Sequence, residues 1–340
     1  MNQLRPLLGA LAVIAALLTA GCDLCWPRGG ELARCLSDDD DAADDDDSGD
    51  DDDSGDDDDA ADDDDATAPR PPCEHGEIVP GIPFTSDIGD GPQAETYDFV
   101  CVHGDSFFMG YDNDDPAWEE GSERHEVTLT RVYLLGQWEV PQALWTEIIG
   151  SNPSECFEPE GCTDLSPVNR VSWQASRDFA DALSALEGFQ RASTDLGGIQ
   201  SQDLDRDGYR LPTEAEWEFA AQAGQETVYS GSNDVDEVAW CDAFTDVYPK
   251  PVGLKDANAW GFHDMSGNIN EWCFDGWGPY DLEPQTDPIG ASNQNFRVRR
   301  GGTFDYQCDL TRVRERSFDT PTSGYNKGLR LARTVFVPTK

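Results

Sequence analysis

Positive charge is scarce in this chain. Its 340 residues hold 23 lysines and arginines against 69 acidic residues, a formal net charge of −46. Phosphate backbones are bound through Lys and Arg, so nucleic acid is excluded as a partner, and anionic membrane surfaces are disfavoured on the same ground. The sequence also has no Gly-rich phosphate loop and no serine elbow of the GxSxG kind, which removes two common signatures of nucleotide and acyl-transfer enzymes.

Long apolar runs are missing too. Leu7–Leu18 follows one basic residue, Arg5, and is too short for a stable membrane span, so residues 1–21 read as a secretory signal peptide. Thr19-Ala20-Gly21-Cys22 is similar to a bacterial lipobox, with Thr19 where that pattern prefers Leu. It makes Cys22 the acylated first residue of an extracytoplasmic, membrane-anchored lipoprotein in the periplasm or at the cell surface; an ordinary secreted protein is the alternative. Residues 22–37 form a short Cys-containing segment. Between 38 and 65, five blocks of four aspartates alternate with Ala-Ala or Ser-Gly, and Ala68–Pro72 is Pro-rich. Like charges repel and nothing larger than Ala is available to bury, so 38–72 is expected to be an extended, disordered tether, with diffuse Ca²⁺ binding its other conceivable use. Residues 73–340 remain as one domain, long enough for a large core.

Ten cysteines in an exported chain read as disulfides. Local spacing joins Cys25 with Cys35, Cys156 with Cys162 and Cys73 with Cys101. Cys241, Cys273 and Cys308 are left, and spacing does not choose among their pairings. With Cys22 acylated, nine cysteines remain and at least one is unpaired. Cys22-Asp-Leu-Cys25 is CxxC in form only, and no pair has zinc spacing.

Within the domain, Tyr97–Gly110 has strand composition. Glu126–Leu135 alternates and then turns continuously apolar, as a half-buried strand entering a core does. Gln142–Ile149 reads as a short helix. Ser172 caps a longer one through Leu186, with Ala175, Phe179, Ala182, Leu183 and Leu186 on its apolar face. Thr213 and Glu216 form a capping box opening a helix to about Ala223. Loops rich in Gly and Trp follow, then short strands around Phe296–Thr303 and Gly328–Phe336.

Two stretches have the chemistry of calcium sites. Asn258–Trp272 (NAWGFHDMSGNINEW) has neither helical nor strand period, so it reads as a buried loop whose peptide carbonyls need partners; Asp264 and Glu271 flank Gly267 as a carboxylate-and-carbonyl cage would. Two surface acids on a solvated turn is the alternative. Asp203, Asp205, Asp207, Gly208 and Glu214 fit D-x-D-x-D-G-x₅-E, the spacing of an EF-hand loop. No helix pattern precedes Asp203, and Glu214 belongs also to the capping-box helix, so chance overlap with a polar insertion competes with that reading.

Phe108-Met109-Gly110, Pro167–Trp173 (PVNRVSW), Tyr209–Ala221 (YRLPTEAEWEFAA), Asn258–Trp272, Arg299–Phe304 (RRGGTF) and the closing Gly328-Leu329-Arg330 occur in the order of the formylglycine-generating enzyme, or sulfatase-modifying factor, family. The resemblance runs from about Val100 to Val337. It implies an α+β fold related to C-type lectins with little regular secondary structure, and a calcium site formed by Asp264, Gly267, Ile269 and Glu271. Oxidases of that family bind copper through two cysteines after the RGG segment and convert a sulfatase cysteine to formylglycine. Here those positions fall on Tyr306 and Thr311, with Cys308 between them and out of register. Soft Cu(I) requires thiolates, so copper is not expected. The fold also serves iron-dependent sulfoxide-forming modules, lectin-like binders and surface lipoproteins, and does not choose among them. His75, His103, His125 and His263 are scattered and read as surface or satisfied core residues rather than iron ligands. The expectation is therefore a non-oxidase binding or structural member, with an oxidase acting on sulfatase cysteines as the alternative. Trp272, Arg312, Arg314, Arg316 and Arg330 are expected to line a cleft for an anionic or peptide ligand or a protein partner.

Overall fold

The structure, a computed structural model, describes residues 73–87, 92–112, 114–115, 117, 121–155, 162–196, 199–242, 248–292 and 295–336. The signal peptide, Cys22, the Cys25 and Cys35 pairing, the aspartate tether and Cys156 lie outside the described residues. No helix among the described residues is long and apolar enough to cross a membrane.

In chain order come β1 (Ile78–Asp87), β2 (Pro92–His103), β3 (Ser106–Met109), β4 (His125–Thr128), β5 (Val132–Gly136), α1 (Gln142–Ile149), α2 (Trp173–Glu187), β6 (Ser193–Leu196), β7 (Ile199–Gln202), β8 (Tyr209–Arg210), α3 (Glu214–Gln222) and α4 (Val235–Val238). The last third holds β9 (Asn270–Gly276), β10 (Gln285–Thr286), β11 (Arg297–Arg300), a 3-10 turn over Cys308–Thr311, β12 (Ser317–Asp319), β13 (Lys327–Gly328) and β14 (Ala332–Val335). Five strands form one sheet in the order β1-β2-β5-β14-β8, and two smaller sheets run β10-β4-β3 and β12-β11-β9-β13; β6 and β7 pair as a hairpin.

The five-stranded sheet is covered on both faces, which explains why Tyr97–Val102 is apolar at almost every position. Phe99 and Cys101 face a core built with α1 and α2, around Trp145, Trp173, Phe179, Leu183 and Trp272. Val100 and Val102, on the opposite face, join a second core around α3, with Trp217, Phe219, Phe262, Met265 and Val298.

The helices follow their local signals. Ser172 Oγ accepts from Ala175 N at 3.1 Å, and Thr213 and Glu216 complete both halves of the capping box. Two expectations change. Leu186 is 68 % exposed, because the buried stripe of α2 runs Trp173, Ser176, Phe179, Ala180, Leu183, Ser184 and its last turn emerges into solvent. Glu126–Leu135 is not one strand: it breaks at Leu129–Arg131 and places β4 and β5 in different sheets. Leu129 N bonds Asp105 O at 3.1 Å, while Asp287 accepts from Thr130 N at 2.9 Å, so the break is held by partners distant in sequence. Asn258–Ile269 is the irregular loop expected, but Asn270–Trp272 already belongs to β9, all of it buried.

Candidate functional site

Helix α3 is buried along its whole length although it carries Glu214, Glu216 and Glu218. Buried carboxylates need paired charges. Arg210 holds Glu216 through bonds of 2.6 and 2.7 Å, Arg316 holds Glu214 at 2.9 and 2.8 Å, and Arg300 holds Glu218. Burial pushes the Glu214 carboxyl up, but Arg316 and Arg300 outweigh it and hold the group below the usual range. From the same helix Trp217 Nε1 donates to Glu271 Oε2 at 2.8 Å, which ties α3 to the central loop.

Three buried carboxylates meet at that loop. Glu271 accepts from Arg330 Nε at 3.2 and 3.0 Å and from its Nη2 at 2.7 Å. Asp264 accepts through Oδ2 from Gly253 N at 2.7 Å, while its Oδ1 is buried with no partner. Glu139, from the segment after β5, accepts from Asn268 Nδ2 at 2.7 Å and from Ile269 N at 3.0 Å. Burial raises Glu139 well above the usual carboxylate range, with Asp264 and Glu271 adding to it; burial also raises Asp264. Glu139, Asp264 and Glu271 are all buried, and among them Arg330 forms its ion pair with Glu271. Asp264, Gly267 and Asn268 all have positive φ, and a Cβ at Gly267 would lie 2.1 Å from Trp240 O, so only glycine fits there.

These residues fit the calcium expectation in charge and in one open oxygen, Asp264 Oδ1. Glu271 fits only by sharing oxygens that Arg330 and Trp217 already approach. No group of three or more His, Cys, Asp or Glu side chains among the described residues converges on a metal position, so an ion here would depend on backbone carbonyls such as those of Gly267 and Ile269.

The thiol positions are occupied differently. Tyr306 is half-buried, its carbonyl accepting from Asp242 N at 2.7 Å; Thr311 is buried, its Oγ1 donating to Cys308 O at 2.9 Å. Cys308 is bonded to Cys241, a pairing that spacing left open, with Cα atoms 5.2 Å apart. Cys73 pairs with Cys101 as expected. Cys162 is disulfide-bonded, and Cys273 is free and buried in β9. Tyr306 and Thr311 carry a phenol and an alcohol, and Cys308 is closed into its disulfide. The disulfides mark an oxidising, extracytoplasmic setting.

Other expected constellations come apart. Trp272 and Arg330 are fully buried, so they line no cleft; Arg316 is paired with Glu214, Arg314 with Glu226 and Arg312 with Asp309. The arginines offset nearby acids and do not share one cleft: Arg312 and Arg314 line a cavity of about 340 Å³ and Arg316 another of about 400 Å³. The EF-hand spacing is not assembled either: Asp203 pairs with Arg206, Asp205 with Arg131, Asp207 accepts from Gln190 N, and Glu214 is buried against Arg316. A tight helix start at Thr213 turns Glu214 into the core. The four histidines are satisfied separately: His75 Nδ1 accepts from the backbone N of His103, and the rings of His103, His263 and His125 bond Cys73 O, Lys255 O and Glu123 O. Glu139 and Asn268 were not legible as site residues, because an isolated acid after a strand and an Asn in a Gly turn have many ordinary uses.

A family profile described as the sulfatase-modifying factor enzyme 1-like domain matches residues 85–335. The chain is 32% identical over 244 residues to the chaperone protein LppX of Paenibacillus barcinonensis, covering 61% of this chain and 82% of that one. It is 35% identical over 146 residues to the formylglycine-generating enzyme of Streptomyces coelicolor, covering 37% of this chain and 46% of that one, so it spans less than half of that enzyme. Among solved structures, Treponema denticola variable protein 1 aligns with a TM-score of 0.65 at 26% identity, over 74% of this chain and 98% of that one. CarF aligns with a TM-score of 0.54 at 24% identity, over 71% and 99% of the two chains, a likeness of fold alone. These neighbours and the mixed sheets with few helices agree with the α+β expectation.

Proposed function

The chain belongs to the sulfatase-modifying factor enzyme 1-like family, and we propose that it is a ligand-binding or structural member of it rather than an oxidase. What carries the reading is the occupancy of the two thiol positions: Tyr306 and Thr311 stand there, and the one cysteine between them is closed into a disulfide with Cys241. A chemistry that depends on paired thiolates has no substitute in a phenol and an alcohol. The similarity to a relative named a chaperone protein, over most of that relative's length, favours a protein or peptide as the partner.

The domain works outside the cytoplasm, held to a membrane by a lipid on Cys22 and set off from it by the aspartate segment. The central loop takes calcium through Asp264 and the carbonyls of Gly267 and Ile269, with Glu271 completing the set. An ion held there would bring positive charge to buried carboxyl groups; Glu139, Asn268 and Arg330 orient the segments around it.

The test is incubation of copper-loaded protein with a Cys-x-Pro-x-Arg peptide under oxygen, read by mass spectrometry. No change of peptide mass is expected. A mass loss matching formylglycine overturns the reading, and the Tyr306→Cys, Thr311→Cys double variant measures how much of an oxidase site the surrounding residues still support.

A further inference from the structure

Apart from the central loop and the thiol positions, the structure contains a cavity of about 400 Å³ between the end of β9, the start of α3, strands β3 and β4 and the segment 278–291. Its size is that of a small-molecule site. Met109, Pro279, Pro288, Ile289 and Ala291 form apolar walls, and Asp275, His125, Tyr280 and Gln285 add polar groups.

The polar lining divides into groups already engaged and groups left over. Arg316, the lone basic side chain besides His125 among the lining residues, is bidentate on Glu214, donates to Gly121 O at 3.0 Å and Gly278 O at 2.9 Å, and stacks 3.7 Å from the Tyr280 ring centroid. Tyr280 OH donates to the same Glu214 at 3.1 Å. Asp287 is held by Arg131 at 2.6 Å. Two carboxyl groups form no ion pair among the described residues: Asp275, 2 % exposed, and Asp281 at the exposed rim. Asp275 Oδ2 accepts from Glu214 N at 2.8 Å, which fixes the carboxyl in the wall. His125 Nδ1 lies 3.1 Å from Glu123 O; with the proton on that nitrogen, Nε2 is left as an acceptor.

We propose that this cavity is a binding site for an organic cation, an ammonium or guanidinium group on a short apolar stem, whether a free amine or a basic side chain of a peptide. The leftover groups are acceptors and acids, so a ligand rich in N–H donors completes them. A carboxylate or phosphate would meet two acids and a guanidinium already committed to Glu214. The apolar walls take the stem.

Proton linkage supports the assignment. Burial pushes the Asp275 carboxyl well above the usual range, with Glu214 next in effect and Glu216 adding to it. Besides these, Cys273 on its own strand, Arg297 on β11, His125 on β4, Arg316 before β12, and Tyr280, Asp281 and Asp287 of the segment 278–291 are its charged or titratable surroundings. An entering cation draws the proton from Asp275, so binding releases a proton and tightens as pH rises toward neutral.

The experiment is calorimetric titration of the full-length chain carrying Cys22→Ser with n-butylguanidinium, with n-butylurea as its uncharged isostere and with an acetylated, amidated Gly-Arg-Gly peptide. The expected result is saturable one-to-one binding of n-butylguanidinium, at least tenfold tighter than n-butylurea, and weakened at least tenfold by Asp275→Asn. Equal binding by the two isosteres, or none by the cation, overturns the proposal. Should Asp275→Asn fail to fold, Asp281→Asn at the exposed rim gives the second reading: a loss of a few-fold is expected, and unchanged affinity counts against the site. Peptide binding with the free cation matched identifies a side chain as the occupant, and binding of the small cation alone identifies a free amine. The titration reads neither copper nor peptide oxidation, so it succeeds or fails separately from the oxidase assay.

Discussion

Single residues here act through the charge they leave or satisfy in the interior. Glu214 is the clearest case, since its carboxylate pairs with Arg316 while Arg300 lies 3.8 Å away. Breaking a buried pair by removing one partner costs about 3–5 kcal/mol, because the surviving charge stays desolvated. Glu214→Gln is therefore expected to lower the urea midpoint at pH 7 by that order of free energy. Its folded value is depressed, so the stabilisation is full above the usual carboxylate range, about pH 4.3, and is lost as pH falls through the lower folded value. The gap between wild type and Glu214→Gln should narrow in acid, and a constant gap from pH 7 to 3 would contradict the ion pair as its source. Asp264 makes the complementary case. Its Oδ1 has no partner, so millimolar Ca²⁺ should raise the melting temperature of the wild type over a chelator-treated sample, and Asp264→Asn should abolish the rise. Equal melting curves with calcium and chelator would remove the calcium assignment.

At the scale of elements, local signals and distant partners separate cleanly. Helices α1, α2 and α3 were legible because an apolar stripe or a cap lies within each segment; both bonds of the Thr213 and Glu216 box are present. The break between β4 and β5 was not, because its cause is Asp105 and Asp287, one on either side in sequence. The site was legible in the same partial way. Asp264 and Glu271 stand inside one recognisable stretch, whereas Glu139 enters from 125 residues upstream of Asp264, and the arginines read as one cleft scatter, Arg316 to Glu214 of α3, Arg330 to Glu271 of β9, Arg314 to Glu226 and Arg312 to Asp309. The Cys241–Cys308 bond is the element-scale feature with the largest expected effect, as it closes a 67-residue separation between the segment after α4 and the 3-10 turn. Chain-entropy reasoning places its contribution at about 4 kcal/mol. The double variant Cys241→Ser, Cys308→Ser should unfold at lower denaturant by up to that amount, and reductant should move the wild type toward it. An unchanged midpoint would mean that the bond restrains nothing in the unfolded chain.

For the whole molecule, the surplus of acid is distributed unevenly. Inside the domain, arginines are drawn into the core to pair with glutamates, while twenty aspartates lie together between 38 and 65. A run of like charges repels itself, so the composition of 38–65 favours the spacer role proposed for it. Such a spacer is useful only if one end is fixed. On the proposed anchoring, an acylated Cys22 after Ala20-Gly21 would supply the fixed end, since two acyl chains bury enough methylene groups to hold a domain at a bilayer. Membrane and soluble fractions of the producing cell should therefore divide the two proteins, with wild type in the membrane and Cys22→Ser released. Intact-mass measurement should find the wild-type chain beginning at Cys22 and heavier by its acyl groups. An unmodified N-terminus downstream of Cys22, with wild type and variant fractionating alike, would make the protein a secreted one and leave the aspartate segment without a spacer's role.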